Sequence, residues 1–156
     1  MKKNSIIIVI ILLAVTCVGS FFYLKSRNDV PKGNLAVVSG DKTVLINPFG
    51  GSLVPVKGTT INAKGQEKDV DETGVSLMDA IEKSGLFESS FTKVRVVSSD
   101  EYAAEISIDE IKEEGRACLA KQQEDDGTIS ARLYVFGDSD SRRQVKNVVR
   151  IELLNE

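Results

Sequence analysis

The sequence contains no histidine and only two cysteines among its 156 residues. The missing histidines exclude a Ser-His-Asp triad, a Cys-His dyad and a histidine-ligated zinc site within this chain. Two cysteines are too few for a four-thiolate metal site or a scaffold of several disulfides. The 12 glycines and 3 prolines also exclude collagen-like and low-complexity classes. An ordinary globular composition remains, 28% charged and 42% hydrophobic, and the length suits one domain with an appendage.

A long uncharged run lies near the N-terminus. Residues 5–24 carry no charge and follow the basic start of residues 1–4. As a helix rising about 1.5 Å per residue, this run would cross the core of a bilayer. A cleaved signal peptide would have a shorter apolar core, and a lipoprotein signal would have a small residue where Thr16 precedes Cys17. The run therefore favours an uncleaved signal anchor, with Cys17 as a small apolar helix residue or, alternatively, a palmitoylation site.

The charge balance divides the chain just after this run. Residues 1–32 hold five Lys or Arg and one Asp, a net of +4, so the total of −3 leaves −7 on residues 33–156. An acidic domain argues against nucleic-acid binding, which needs a basic face, although the acidity also simply favours solubility. A short basic N-terminus usually stays in the cytoplasm. We therefore expect a single-pass protein of the cell membrane, with cytoplasmic residues 1–4, a transmembrane anchor over 5–24, a linker over 25–33 and an extracytoplasmic domain over 34–156.

The remaining chain has the pattern of an α+β domain. Short apolar runs separated by turn residues predict strands at residues 35–39, 43–47, 59–62, 66–70, 94–98, 102–106, 117–121, 131–136 and 148–154. Two helices are indicated by Ser-x-x-acidic capping patterns, at residues 76–84 and 107–114. Because short strands outnumber modest helices, we predict one mixed or mainly antiparallel sheet with two short helices.

Three segments in order resemble a known family. Residues 74–85, GVSLMDAIEKSG, resemble a "GV-x-L-x-D" helix start, and residues 96–111, VVSSDEYAAEISIDEI, resemble an "S-D-G-Y" segment. Residues 132–151, RLYVFGDSDSRRQVKNVVRI, resemble a closing "G-D…R-x-V-K" segment. Over about residues 58–153 the chain therefore resembles the oxidoreductase molybdopterin-binding domain of the sulfite oxidase type. This resemblance implies that fold, and a molybdenum pterin cofactor whose metal is held by one cysteine thiolate.

The chain departs from the family where the metal would bind. The family cysteine belongs ahead of the "GV-x-L" helix, but residues 58–65, GTTINAKG, contain none. Cys118 belongs to a different element, and carboxylates do not replace a soft thiolate on molybdenum. Glu101 also replaces the usual glycine before Tyr102, and the family's earlier half has no counterpart in these segments. We therefore predict no catalytic residue, no metal ligand and no bound cofactor, with molybdopterin as the cofactor that the resemblance alone implies.

A polar loop supplies the best candidate ligand contacts. In this loop Arg142, Arg143 and Lys146, with Ser139 and Ser141, could hold a phosphate or another anion. The alternative is that the two arginines pair with the loop's own carboxylates, Asp138 and Asp140. By the resemblance this loop would lie at the end of the sheet, near the pterin region.

Three other clusters favour structural explanations. A nucleophile at Ser98-Ser99-Asp100 would lack an activating base, so a turn is predicted instead. A hard-cation site would need calcium-loop spacing, which is absent from the acidic residues Glu110, Glu113, Glu114, Glu124, Asp125 and Asp126, so a solvated face is predicted. Cys118 is predicted to be a buried apolar residue rather than a redox thiol.

Three hypotheses about function follow. The first is a membrane-anchored, extracytoplasmic domain that has the molybdopterin-oxidoreductase fold without metal chemistry and binds a protein partner or a small anionic ligand. The second is an oxidoreductase component that keeps a pterin with help from a partner subunit. The third is an unrelated β-grasp-like ligand-binding module.

Overall fold

The computed structural model describes Thr16, residues 30–87 and residues 90–155. The predicted cytoplasmic residues 1–4, the anchor over 5–24 except Thr16, and most of the 25–33 linker lie outside the described residues. Within the described part of the chain, no helix is long and apolar enough to cross a membrane.

Residues 30–87 and 90–155 form nine strands and two short helices, in the order predicted from the sequence. The strands are β1 (Leu35–Ser39), β2 (Lys42–Ile46), β3 (Val54–Ile61), β4 (Glu67–Ser76), β5 (Lys93–Ser98), β6 (Ala103–Ser107), β7 (Ala117–Gln123), β8 (Ile129–Val135) and β9 (Val148–Leu154). The helices are α1 (Leu77–Lys83), between β4 and β5, and α2 (Ile108–Lys112), between β6 and β7.

The strands form two sheets, so the prediction of a single sheet is wrong. A five-stranded sheet has the order β2-β1-β9-β5-β6, and a four-stranded sheet has the order β3-β4-β7-β8. Strands β1 and β9 pair in parallel, and every other strand pairing within the two sheets is antiparallel. The predicted mainly antiparallel, mixed character is therefore confirmed. Hydrophobic periodicity reports which residues share a face of a strand, but it does not report which strands pair.

Both helices begin where their capping residues predict. The Ser76 side chain accepts a hydrogen bond from the Asp79 amide, and Ser107 forms a complete capping box with Glu110. Helix α2 ends at Lys112, before the predicted end, because Glu113 has an extended ψ of 120°. In α1 the buried residues are Leu77, Ala80 and Ile81.

One core joins the two sheets and the helices. Residues from both sheets and from α1 belong to a single buried cluster that includes Val37, Val96, Leu119, Leu133 and Ile151. Each of these side chains is fully buried. Burial of such apolar area is the main stabilising contribution to the fold.

The four-stranded sheet curves so that the Phe136 ring packs against strand β3, at the sheet's opposite edge. Its other face carries a second cluster that contains Val56, Val70, Cys118, Ala120 and Tyr134, with Phe136 packed against them. Gly58 lies on edge strand β3, and a Cβ atom there would be 2.6 Å from the Phe136 ring, which directly follows the opposite edge strand β8. A residue without a side chain is thus needed for this close approach. The same curled face ends in an open pocket.

Candidate anion-binding pocket

A pocket of about 430 Å³ opens at the end of the curled sheet. It lies between the β3–β4 hairpin, the β5–β6 turn, strand β8 and the loop before β9. The residues that line it are Thr60, Asn62, Ala63, Lys68, Ser98, Asp100, Tyr102, Arg132, Tyr134, Ser141, Gln144 and Lys146. The volume falls within the range of about 300–1,000 Å³ that is typical of small-molecule sites. The lining contains three cationic side chains, Lys68, Arg132 and Lys146, and one carboxylate, Asp100.

Arg132 has hydrogen-bonding capacity that the protein leaves unused. Its Nε atom is buried, and among the described residues it has no hydrogen-bond acceptor. Its Nη2 atom lies 3.4 Å from Oε1 of Gln144, and its guanidinium carbon lies 4.8 Å from the centroid of the Tyr134 ring. A buried donor without an acceptor is costly. A ligand that supplies an anionic oxygen would relieve that cost.

The Tyr134 ring packs against the guanidinium of Arg132. Its hydroxyl donates to Oε1 of Glu72 at 3.0 Å, and its ring stacks on Phe136 with centroids 5.9 Å apart. Burial, opposed by the Arg132 charge, raises the pKa of Tyr134 to about 12. The phenol therefore stays neutral at physiological pH and offers its face to the guanidinium in a cation–π contact.

The β5–β6 connection forms a turn at the rim of the pocket, as predicted. The carboxylate of Asp100 accepts from the Tyr102 amide at 3.1 Å, and the buried Ser98 hydroxyl accepts from the Asp100 amide at 3.5 Å. The hydrogen bond with Ser98, followed by that with Tyr102, lowers the pKa of Asp100. Glu101 has a φ of 67°, which lies in the left-handed region that favours glycine. This geometry explains a glycine at the matching position of the family pattern.

A register shift between Val97 and Ser98 precedes this turn, where β5 pairs with β9. Such irregularities re-aim side chains at strand ends. The Tyr102 hydroxyl reaches across the rim and donates to the carbonyl oxygen of Arg142. The turn and the β8–β9 loop are therefore tied together at the mouth of the pocket.

The predicted ligand contacts divide into two groups. Ser141 and Lys146 line the pocket. Ser139 is exposed and is not part of the lining. The Arg142 side chain is 86% exposed and pairs with Asp140, whose pKa is lowered chiefly by that hydrogen bond.

Arg143 belongs to a cluster of four charges beside the pocket. Its Nη1 and Nη2 atoms donate to both carboxylate oxygens of Glu110 at 2.9 and 2.8 Å, and its Nε donates to Asp138 at 2.8 Å. Arg116 bridges the same two carboxylates at 3.2 and 3.0 Å. The hydrogen bond from Arg143 is the main cause that lowers the pKa of Glu110 to about 2. Both arginines thus pair with carboxylates of the loop itself, Arg142 with Asp140 and Arg143 with Asp138. Arg143 pairs in addition with Glu110 of α2.

Sequence reasoning missed the central cation of the pocket. Arg132 was part of the quoted closing segment, but it was not singled out. A signal was available, because Arg132 interrupts an otherwise apolar strand between the buried residues Ala131 and Leu133. A charged residue in such a strand is expected to have a specific partner. Lys68 and Gln144 gave no comparable signal, because they lie on exposed or irregular segments in the sequence pattern.

A larger cavity of about 610 Å³ lies elsewhere, beside residues 30–35. Its charged lining consists of Lys32 and the acidic residues Glu124, Asp125 and Asp126. Lys32 and Asp126 pair at 3.6 Å. The described residues that line this cavity include none of the predicted ligand contacts, which are Ser139, Ser141, Arg142, Arg143 and Lys146. Its size alone does not make it the better candidate, because none of its described lining residues has a buried polar side-chain atom without a partner.

The structure also shows how the acidic residues and Cys118 are placed. Across the described residues, no group of three or more His, Cys, Asp or Glu side chains is arranged to hold a metal ion. Cys118 is buried, and its thiol lies 3.8 Å from the carbonyl oxygen of Gly115. Burial is the main cause that raises the pKa of this thiol. The predicted burial of Cys118 is confirmed.

Comparison with known proteins bears on the fold. No protein-family model and no curated protein sequence matches this chain. Among solved structures, the chain is similar to the sulfane dehydrogenase SoxCD from Paracoccus pantotrophus, with a TM-score of 0.62 and 14% sequence identity. The chain thus shares the fold of part of that solved structure. The match covers 79% of this chain and 38% of that chain, so the similarity concerns one part of a longer protein and the fold alone.

The residues present do not fit a molybdenum centre. Among the described residues that line the pocket none is a cysteine, and the stretch where the family pattern has its cysteine ends at the pocket with Thr60 and Asn62 instead. Cys118 is a buried neutral thiol on β7 and does not line the pocket. Hydroxyl, amide and ammonium groups are poor substitutes for a soft thiolate ligand. The pocket chemistry instead suits a molecule with negatively charged oxygens.

Proposed function

We propose that this chain is a membrane-anchored, extracytoplasmic and non-catalytic binding domain whose pocket takes a small organic anion. The observation that carries this proposal is Arg132, which lines a pocket of about 430 Å³ and whose buried Nε atom has no hydrogen-bond partner among the described residues. Arginine stays charged at all physiological pH values and binds carboxylate or phosphate oxygens through two donors at once. An anionic oxygen at this point would complete its hydrogen bonding.

The remaining lining supports the same ligand class. Lys68 and Lys146 add positive charge, while Thr60, Ser141 and Gln144 add neutral hydrogen-bonding groups. The pocket is larger than a bare oxyanion requires, so the ligand is expected to carry an organic body beside its anionic group. The described lining contains no histidine and no thiol, and its carboxylate, Asp100, accepts a hydrogen bond from the Tyr102 amide within the turn. Binding without turnover is therefore the simplest role.

The proposal of an anchor rests on the sequence of residues 5–24. The linker leads directly into the described domain, whose first strand starts at Leu35. A reporter that is active only in the cytoplasm, fused after Glu156 in the intact chain, tests the orientation. We expect it to be inactive, and cytoplasmic activity would reverse the assignment.

A second candidate function is supported by the fold similarity. If the chain is an oxidoreductase component that shares a pterin with a partner, the same cationic pocket would receive the phosphate of that pterin. Purification of the intact chain from a molybdenum-replete host, followed by metal analysis and pterin fluorescence, separates the two functions. Stoichiometric molybdenum would contradict the first. The β-grasp-like alternative receives no support from the two-sheet arrangement or from the comparison.

Substitution of Arg132 tests the proposed binding function. The intact chain in a mild non-ionic detergent is titrated calorimetrically with phenyl phosphate, inorganic phosphate and neutral phenol. We expect phenyl phosphate to bind more tightly than phosphate, and phenol not to bind. Loss of a charge-assisted hydrogen bond costs about 1.5–3 kcal/mol, so Arg132→Met should weaken binding of phenyl phosphate by at least about tenfold.

Two further variants sharpen this test. Arg132→Lys keeps the charge but removes the Nε donor, so it should also weaken binding. Lys57→Met removes a positive charge from an exposed pair with Asp71 and should leave the affinity unchanged. Equal affinity of Arg132→Met and the wild-type protein would refute the central role of Arg132, and failure of all three probes to bind the wild-type protein would refute this ligand class.

A further inference from the structure

We propose that Arg143 is a positioning residue for the anion pocket: it makes no contact with the ligand and instead holds the loop that carries Ser141, Gln144 and Lys146 into the lining. This inference rests on the proposed binding function, and it reassigns a residue that the sequence suggested as a direct ligand contact.

The guanidinium of Arg143 is already occupied. All three of its nitrogen atoms donate to the carboxylates of Glu110 and Asp138 at distances of 2.5–2.9 Å. The Arg143 side chain is 29% exposed and that of Asp138 is 12% exposed, so water competes little for these hydrogen bonds. Bidentate arginine–carboxylate pairs of this kind fix the orientation of both side chains as well as supplying electrostatic attraction. An additional anion would have to displace one of the two carboxylates.

The four-charge cluster holds both ends of the loop. Asp138 stands near its start, and Arg143 stands near its end. Just before Asp138, Gly137 has a φ of 81°, and a Cβ atom there would lie 2.2 Å from Nη1 of Arg116. This glycine therefore serves both the backbone conformation and the close approach of Arg116. Glu110 also caps α2, so the loop is attached to a helix that is itself anchored in the core through Ile111.

The residues after Arg143 connect this anchor to the pocket. Gln144 donates to the carbonyl oxygen of Ile61 at 3.0 Å, which places its other amide atom beside Arg132. The Leu133 amide donates to the carbonyl oxygen of Val145 at 2.8 Å. Release of Arg143 would free the chain immediately before these contacts. The expected result is a displaced Gln144 and Lys146, and hence weaker binding.

The test compares variants of Arg143 in the intact, detergent-solubilised chain. Arg143→Ala removes the anchor, and Arg143→Lys keeps the charge but loses the two-pronged geometry. Arg95→Ala removes one positive charge from an exposed pair on β5 and serves as the matched control. We expect both Arg143 variants to bind phenyl phosphate about tenfold more weakly than the control. If Arg143→Ala does not fold, Arg143→Lys and Glu110→Gln answer the question.

The salt dependence of binding separates positioning from direct contact. A cation that touches the ligand contributes to the slope of log Kd against log salt concentration, because salt screens that attraction. We expect Arg143→Ala to keep the wild-type slope and Lys146→Met to flatten it. A flattened slope for Arg143→Ala would show direct contact and overturn the inference, as would an unchanged affinity in both Arg143 variants.

A ligand-free measurement keeps this test independent of the proposed function. The amide resonances of Ser141, Gln144 and Lys146 should shift in the Arg143 variants and stay in place in Arg95→Ala. If the wild-type protein binds no probe, the proposed function fails. Unchanged loop resonances in Arg143→Ala would overturn the positioning role, whatever the binding results.

Discussion

The four-charge cluster predicts a particular dependence of stability on pH. Glu110 accepts hydrogen bonds from Arg143 and Arg116, which together with its capping contacts lower its pKa from 4.5 to about 2. A folded pKa below the unfolded value means that folding favours the ionised carboxylate. The stabilisation is therefore fully present above about pH 4.5 and is lost as the pH falls towards 2.

The size of this effect follows from the difference between the two pKa values. At about 1.4 kcal/mol per pKa unit, the difference corresponds to about 3 kcal/mol of unfolding free energy. The Glu110 side chain is 26% exposed, so screening by solvent reduces this value and 3 kcal/mol is an upper value. Such a contribution is a large part of the 5–15 kcal/mol that is typical of a domain.

The variant Glu110→Gln removes the ionisable group with little change in shape. Urea unfolding of the intact chain in non-ionic detergent, followed by near-UV circular dichroism of the tyrosines, measures its free energy of unfolding from pH 7 to pH 2. We expect the variant to be about 2–3 kcal/mol less stable than wild type at pH 7. The two proteins should converge as the pH falls from 4.5 to 2, because Glu110 then becomes neutral.

A matched control uses another carboxylate in a more exposed pair. Glu105 pairs with Lys93 at 3.4 Å, but its side chain is 53% exposed. Glu105→Gln should change the free energy of unfolding by less than about 1 kcal/mol at every pH. Parallel stability curves for wild type and Glu110→Gln across this pH range would refute the account of the cluster.

Two further predictions concern the backbone of the fold. A Cβ atom at Gly74 would lie 2.0 Å from the Leu119 carbonyl oxygen, so Gly74→Ala should destabilise the domain by about 3 kcal/mol or more in urea unfolding. As a control, Gly51→Ala should be nearly neutral, because a Cβ atom there meets nothing closer than 3.8 Å. Equal effects of the two substitutions would contradict the steric argument. Ser107→Ala removes the cap of α2 and should cost about 1 kcal/mol by the same assay; an unchanged stability would show that the cap contributes nothing.

Much of the secondary structure was predictable because its signals are local. The hairpin formed by β1 and β2 follows from two β-branched runs around Gly40, and both helices begin at the serine caps that the sequence predicts. The extents of β3 and β4 were underestimated, because residues such as Pro55 and Gly74 disfavour strands locally. Pairing across the curled sheet overrides those propensities, and Gly74 is required there by close contact with β7.

The candidate site was predictable only in part. The polar segment of residues 137–143 was located by its composition, and two of the predicted ligand contacts, Ser141 and Lys146, line the pocket. The roles of the two arginines depend on Glu110, which is 33 positions away from Arg143 in the chain. Arg132 gains its significance from Gln144 and Tyr134 and from the lack, among the described residues, of an acceptor for its Nε atom. No periodicity or motif in one sequence reports such contacts.

The sequence by itself determined the chemistry that the chain lacks and the order of its elements. Without histidine, and without a cysteine in residues 58–65 ahead of α1, several kinds of catalytic and metal site are excluded whatever the fold. The tertiary structure decided which charges are free to meet a ligand. Arg142 and Arg143 pair with carboxylates, while Arg132 lines an open pocket and, among the described residues, has one buried donor without an acceptor. Charge is a property of the residue, but its availability depends on the partners that folding brings within reach.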